Sequence, residues 1–382
     1  MIPSRADASA PAAEPGAIRV LVVDDSAVIR GLITQLLESD PEIAVVGSVG
    51  NGQMAINTLR RTSVDVAVLD IEMPVMDGLS ALPLMLQAAP DLKIIMASTL
   101  TKRNAQISLK ALSAGAADYV AKPTSTAEIQ RAQDFRRELV DKVKALGAFG
   151  RRRRAARGAP AADRDLPFRP APAMRPERRV GVTLRPPASR PPEILAFGSS
   201  TGGPQALMTA LARFPSAIRL PILITQHMPA TFTSILAEHL ARASGWPTGE
   251  AVDGEPVRPG RIFVAPGDFH MKVAVQDGGR VIRLTKEPPE NFCRPAVDPM
   301  FRSLAQVYGA GVLGVILTGM GCDGAKGARA VVEAGGSVIV QDEETSVVWG
   351  MPGAAAHAGV CSAVLPLAEI AGYIKRASGV VS

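Results

Sequence analysis

Residues 194–204 read ILAFGSSTGGP: an apolar run that breaks into a hydroxyl- and glycine-rich turn, then meets a proline suited to the first turn of a helix. A strand, turn and helix in that order leave backbone N–H groups aimed at any approaching anion. From this stretch alone, a phosphate-binding glycine loop and a nucleophile-bearing turn both stay open. Two other apolar runs bear on the choice: Leu220–Thr225 leads to His227, and Val312–Leu317 leads to Asp323. If the three runs are parallel strands of one sheet, their C-terminal ends share a rim. Ser200, His227 and Asp323 then converge there from distant parts of the chain.

Ester hydrolysis needs a base for the hydroxyl proton, a carboxylate to orient the imidazole and N–H donors for the oxyanion. The chain has four histidines. His239 falls in an amphipathic helix and His357 in an Ala/Gly segment, where structural roles are expected. His270, with Asp268 as its possible partner, is the rival of His227. Asp323-Gly324 is also a common turn pair, but its place at a strand end favours a catalytic role.

Outward from this region, the strands expected in the second half are 194–197, 220–225, 261–265, 312–317 and 337–340. A β-hairpin at Val273–Val275 and Val281–Leu284 interrupts the α/β pattern. The first half alternates more regularly: Ile18–Val23, Ala44–Gly47, Val64–Leu69, Leu92–Ala97 and Tyr119–Ala121 read as strands. Helices are expected at 52–61, 78–88, 103–113 and Thr126–Leu146, with another after the first strand. Five strands alternating with five helices predict a doubly wound parallel sheet. Asp24 and Asp25 follow its first strand and Asp70 ends its third, so three carboxylates meet at one rim. They repel unless a cation joins them, and hard oxygen ligands suit Mg²⁺. Ser98 and Lys122 follow the fourth and fifth strands, which suits phosphoryl transfer to Asp70. A structural acid cluster or a metal-dependent phosphatase would use the same residue types.

The 382 residues exceed one ordinary core, and 47% hydrophobic with 20% charged residues is a globular composition. No apolar stretch reaches the ~18–20 residues of a membrane span. Residues 1–17 are an Ala/Pro-rich leader without a signal peptide's core. Three widely spaced cysteines, Cys293, Cys322 and Cys361, form no disulfide or zinc pattern, and a cytoplasmic location is expected. Residues 151–193 hold twelve Arg, four acids and nine Pro, giving them +8, while the rest of the chain sums to −2. Basicity thus belongs to a linker spanning about 35–40 Å. A DNA-binding output is disfavoured because that charge lies outside any expected folded helix. The expected organisation is a leader at 1–17, a first domain at 18–147, a linker at 148–192 and a second domain at 193–382.

Asp24-Asp25, Asp70 through Gly78, Ser98-Thr99 and Lys122-Pro123 together resemble the receiver domain of bacterial response regulators over about residues 18–140. The resemblance implies a flavodoxin-like fold and phosphorylation of Asp70 by a chemotaxis histidine kinase. It implies Mg²⁺ held by Asp25, Asp70 and the Glu72 carbonyl, with Asp24 beside them, and a switch built from Ser98, Tyr119 and Lys122. Gly198–Gly203, Gln226–Pro229, Val264–Gly267, Arg294–Asp298, Thr318–Gly324 and Gly350–Pro352 extend the likeness. With the receiver they resemble the chemotaxis protein-glutamate methylesterase family (CheB).

That family implies a C-terminal α/β parallel-sheet domain with Ser200 as nucleophile, His227 as general base and acid, and Asp323 as the third member. The resemblance also implies an oxyanion hole that includes the Met320 backbone N–H, and an esterase step without a cofactor. The implied substrates are methylated chemoreceptors, whose glutamines are also deamidated, with no DNA and no membrane insertion. The receiver is expected to cover the catalytic rim until Asp70 is phosphorylated. Two positions depart from the family pattern: Cys322 stands where Asn is frequent, and Cys293 where His often precedes Arg-Pro; neither belongs to the triad. The alternative is a receiver with a similar output module that serves another signalling pathway.

Overall fold

The computed structural model describes residues 16–99, 101–122, 129–158, 182–214 and 218–379. Most of the expected leader and the central part of the expected linker, 159–181, lie outside the described residues. The chain divides into two compact units, Met1–Leu166 and Pro167–Ser382.

In the first unit, β1 (Ile18–Val23), β2 (Ile43–Val49), β3 (Val66–Asp70), β4 (Lys93–Ser98) and β5 (Asp118–Ala121) form a parallel sheet of order β2-β1-β3-β4-β5. All of β3 is buried, which is why its sequence is a continuous apolar run rather than an alternating one. Short polar side chains start the helices: Ser26 caps α1 (Ala27–Glu38), Asn51 caps α2 (Gly52–Leu59), Asp77 caps α3 (Gly78–Ala88) and Thr101 caps α4 (Lys102–Ser113). The last helix of this unit, α5 (Ile129–Gly158), packs inward at Phe135, Leu139, Val143 and Leu146.

The end of α5 departs from expectation. The helix runs Ile129–Gly158, so Arg151–Arg154 lie on it and not in an irregular hinge. Ala and Arg are strong helix formers and nothing from 147 to 158 is a proline, so the helix continues where no apolar stripe demands it.

In the second unit, seven parallel strands follow the order β14-β13-β12-β6-β7-β9-β8. They are β6 (Ile194–Ser199), β7 (Ile222–Gln226), β8 (Thr248–Glu250), β9 (Ile262–Val264), β12 (Val312–Ile316), β13 (Ser337–Gln341) and β14 (Ala363–Leu365). The hairpin β10 (His270–Gln276) and β11 (Gly279–Thr285) pairs antiparallel beside this sheet, as expected. The edge strands β8 and β14 were not expected: each is three residues long and only partly buried, too short to show a period.

Phe197, Phe263 and Phe301 are among the largest fully buried side chains, each contributing roughly 2–3 kcal/mol by removal from water. The chain ahead of β6 also joins this unit: Val182 packs on the core, Arg185 N–H donates to Cys361 O at 2.9 Å, and Ala188 N–H to Ser337 Oγ at 2.6 Å.

Topology places the site. From β6 the chain moves to β7 on one side and later returns through β12 on the other, so the loops after β6, β7 and β12 diverge around one crevice. Open parallel sheets bind ligands at such a switch point, outside the strands' C-terminal ends.

Candidate active site

Ser199 and Ser200 are adjacent hydroxyls with different surroundings. Ser199 is fully buried, and its Oγ donates to Gln226 Oε1 at 2.6 Å. Ser200 lies one residue beyond β6 and is partly exposed. Its backbone is fixed on both sides: its N–H donates to Thr318 O at 3.1 Å, and its carbonyl accepts from Gly203 N at 2.7 Å and Gln226 Nε2 at 2.9 Å. The main chain at Ser200 is thus held in place, and among the described residues its hydroxyl makes no hydrogen bond.

The turn depends on its glycines. Gly202 has φ +75° at the N-cap of α6 (Gly203–Ala212), and a Cβ on Gly203 would fall 2.0 Å from Gln226 Oε1.

Strand register brings the His227 backbone next to the Ser199–Ser200 turn. Ser199 pairs with Gln226 across β6 and β7, and His227 N–H donates to Ser199 O at 3.1 Å. Its Nε2 lies 2.7 Å from Asp323 Oδ2. Asp323 is 1% exposed, and its carboxylate also accepts from Val297 N at 2.6 Å, Asp298 N at 3.1 Å, Gly324 N at 2.9 Å and Asn291 Nδ2 at 2.9 Å. Two of these donors open α8 (Val297–Tyr308), so the positive end of a helix faces the carboxylate.

Burial alone would raise the Asp323 carboxyl, but the His227 hydrogen bond and charge with the backbone donors prevail and hold it at about 2. Burial likewise opposes a charged His227, yet Cys293 and Asp323 together raise it to about 10. The ring is thereby favoured as the imidazolium cation beside a fixed anion.

The structure separates the rival histidine from this chemistry. His270 is fully buried; its Nε2 faces Pro288 O at 3.1 Å and its Nδ1 accepts from Ala296 N at 3.2 Å. Both ring nitrogens tie the hairpin to the chain before α8, and Asp268 is exposed at φ +66°. Met320 follows Gly319, which bridges to Trp349, and among the described residues its N–H donates no hydrogen bond.

Sequence reasoning missed three contributors. Asn291 Nδ2 donates to both Asp298 Oδ2, at 3.1 Å, and Asp323 Oδ1. Asp298, 1% exposed, accepts from Gly327 N at 2.6 Å, and burial followed by the Asp323 charge raises its carboxyl above the usual range. Cys293 Sγ lies 3.4 Å from His227 Nδ1. Asp298 and Cys293 lie in or beside a motif already noted, but spacing alone does not reveal which ring or carboxylate they meet.

The first unit carries a second cluster. Oxygen atoms of Asp24, Asp25 and Asp70 lie within 4.8 Å of one another, a hard-ligand set that fits a divalent cation. Lys122 Nζ reaches Asp24 Oδ2 and Asp70 Oδ1, each at 2.5 Å. Burial pushes the Asp70 carboxyl up, while Lys122 pulls it down and Asp24 adds to the rise. Ser98 is buried with its Oγ 3.1 Å from Ser108 Oγ on α4, so its hydrogen-bond partner is a helix hydroxyl rather than an acid. Tyr119 is buried; Lys142 Nζ donates to its carbonyl at 2.6 Å and lies 5.0 Å from its ring centroid. The Glu72 side chain is exposed in the turn after β3.

Comparison with known proteins adds identity to this geometry. Residues 195–374 match the model described as CheB methylesterase, and residues 20–134 match the response regulator receiver domain. A protein-glutamate methylesterase/protein-glutamine glutaminase of Azospirillum brasilense is 61% identical over 94% of this chain and 92% of its own length. One from Paramagnetospirillum magneticum is 57% identical over 97% of this chain and 98% of its own. Among solved structures, the Thermotoga maritima CheB methylesterase catalytic domain is 42% identical with TM-score 0.48, covering 48% of this chain and 98% of that one. At such identity across nearly the full length, the chain belongs to the protein-glutamate methylesterase/protein-glutamine glutaminase family, a receiver domain joined to a CheB methylesterase domain.

Proposed function

We propose that this protein hydrolyses glutamate γ-methyl esters on chemoreceptors and deamidates receptor glutamines, giving adaptation in bacterial chemotaxis. The observation that carries this reading is the 2.7 Å His227–Asp323 pair at the strand end beside Ser200. Ser200 Oγ attacks the ester carbonyl and its proton passes to His227 Nδ1, the nitrogen not bound to Asp323. The tetrahedral oxyanion is met by backbone N–H groups including that of Met320. Collapse expels methanol, which takes the proton from His227. Water, deprotonated by His227 in turn, attacks the acyl carbon, and collapse frees the glutamyl carboxyl group as His227 returns the proton to Ser200 Oγ. With a glutamine substrate the leaving group is ammonia and the other steps are unchanged.

Control belongs to the first unit. Asp70 accepts a phosphoryl group from a chemotaxis histidine kinase, with Asp24, Asp25, Asp70 and the Glu72 carbonyl as the residues that would hold Mg²⁺. That ion would neutralise phosphate oxygens when bound. Lys122 supplies a fixed charge beside them, and Ser98 and Tyr119 carry the change to the surface. We place the reaction in the cytoplasm, in keeping with three unpaired cysteines; among the described residues no helix is long and apolar enough to cross a membrane.

Methanol release from methylated receptor, with and without acetyl phosphate, tests this reading. Release that rises with the phosphodonor supports it; a folded protein releasing none under either condition rejects it.

A further inference from the structure

A catalytic imidazole has two nitrogens, and in this protein both are already engaged. Asp323 holds Nε2 at 2.7 Å, while Nδ1 faces Cys293 Sγ at 3.4 Å. Among the described residues no hydrogen bond joins Ser200 Oγ to His227. The thiol is positioned by construction. Glu290 N–H donates to Cys293 O at 3.1 Å and Cys293 N–H returns to Glu290 O at 2.9 Å, closing a tight turn over Asn291 and Phe292. Those two residues stand at φ +51° and +64°, a region where side chains are strained, so the turn keeps its shape against a local cost. The same turn sends Asn291 to Asp323 and Cys293 to His227, gripping both members of the pair.

We infer that Cys293 is a positioning residue of the hydrolytic centre: its thiol occupies His227 Nδ1 in the free enzyme and must yield that nitrogen to Ser200 before the ester is attacked. This deepens the proposed function and rests on its assignment of His227 as the base for Ser200.

The consequence is a pH brake. The titratable groups facing the ring are Asp323, from the loop before α9 (Ala325–Glu333), and Cys293, from the 290–293 turn. Asp298, at the start of α8, reaches the ring only through Asp323 and Asn291, and Glu290 is committed to Arg302. After burial, which disfavours the charged ring, Cys293 leads the causes that raise His227. Since a general base acts only when unprotonated, a group that helps hold the ring's proton delays activity to higher pH.

The test uses the full chain in two measurements. NMR of the four histidine rings gives the titration midpoint of His227, and methanol release from methylated receptor gives the rising limb of kcat/KM against pH. Cys293→Ala is expected to lower both by at least about one unit, which is roughly tenfold in rate on the acid side. Cys293→Ser, which keeps a hydrogen-bond acceptor for the protonated ring at the same place, returns both part of the way toward the wild-type position and separates this effect from loosening of the turn. A His227 midpoint unchanged in Cys293→Ala overturns the inference. A midpoint that falls while the limb stays put upholds the thiol's hold on His227 and instead rejects His227 as the base.

Discussion

Asp323 Oδ2 accepts from His227 Nε2 at 2.7 Å and, at the same time, from the Val297 N–H at 2.6 Å. One carboxylate oxygen thus joins the His227 ring to the first turn of a helix, so the strength of the pair is a property of the fold as well as of the site.

That linkage makes stability depend on pH with a definite sign. Asp323 titrates at about 2 when folded against 3.8 unfolded, so its contribution is present above about pH 4 and is lost as pH falls through 2. The shift amounts to about 2 kcal/mol. His227, raised to about 10 from 6.5, contributes below about pH 6.5 and loses that contribution as pH rises through 10. The His227–Asp323 contribution enters both shifts and is counted once, while Cys293 supplies a further part of the His227 shift. Urea melts of the catalytic unit's transition from pH 2 to pH 10 are expected to show a plateau near pH 4–6.5; a flat profile would sink this account of the pair.

The switch should depend on a single carboxylate. Acetyl phosphate with Mg²⁺ is expected to raise methanol release, and a tenfold rise needs only about 1.4 kcal/mol of differential stabilisation between the two regulatory states. Asp70→Asn should remove the response, as should chelating the metal, while the basal rate persists. A phosphodonor effect that survives Asp70→Asn would place the phosphorylated residue elsewhere.

Lys142 tests the packing behind Tyr119. Its ammonium is 11% exposed and pairs with Asp118 at 3.3 Å and Glu138 at 2.7 Å, and these acids raise it despite burial. Lys142→Ala removes the cation that balances the buried Asp118 carboxylate and should destabilise the receiver by about 3 kcal/mol. Lys142→Ala with Asp118→Asn should recover part of that. A single variant as stable as wild type in denaturant titrations would contradict the buried pair.

Much of this was legible in the sequence, for physical reasons that vary by element. The runs at β6, β7 and β12 are fully buried on both faces, so they stand out as continuous apolar segments, and the residues following them fall on one rim. Ser200, His227 and Asp323 were readable for that reason, and so were Asp24, Asp25 and Asp70. The grip of Asn291 and Cys293 was not readable, because it depends on two left-handed residues in a turn that carries no glycine. The helical continuation through Arg151–Arg154 was missed because charge and a Pro-rich sequel masked helix-forming residues.

Gly203 offers a steric check on the nucleophile's turn. Adding a single methyl there would drive Gln226 away from Ser199 and Ser200, so Gly203→Ala should lower kcat by more than about tenfold with the fold retained, since a displacement of about 1 Å costs that much or more. Unchanged kinetics would mean that the Gln226 hydrogen bonds do not set the hydroxyl's position.

The central claim is that the Ser200 hydroxyl carries the acyl group. The most direct measurement is methanol release from methylated receptor by Ser200→Ala beside the wild type, with circular dichroism to establish folding. The account predicts a loss of at least about a thousandfold in a folded protein, the scale seen when a triad nucleophile is removed. Release at a comparable rate from the variant would contradict it.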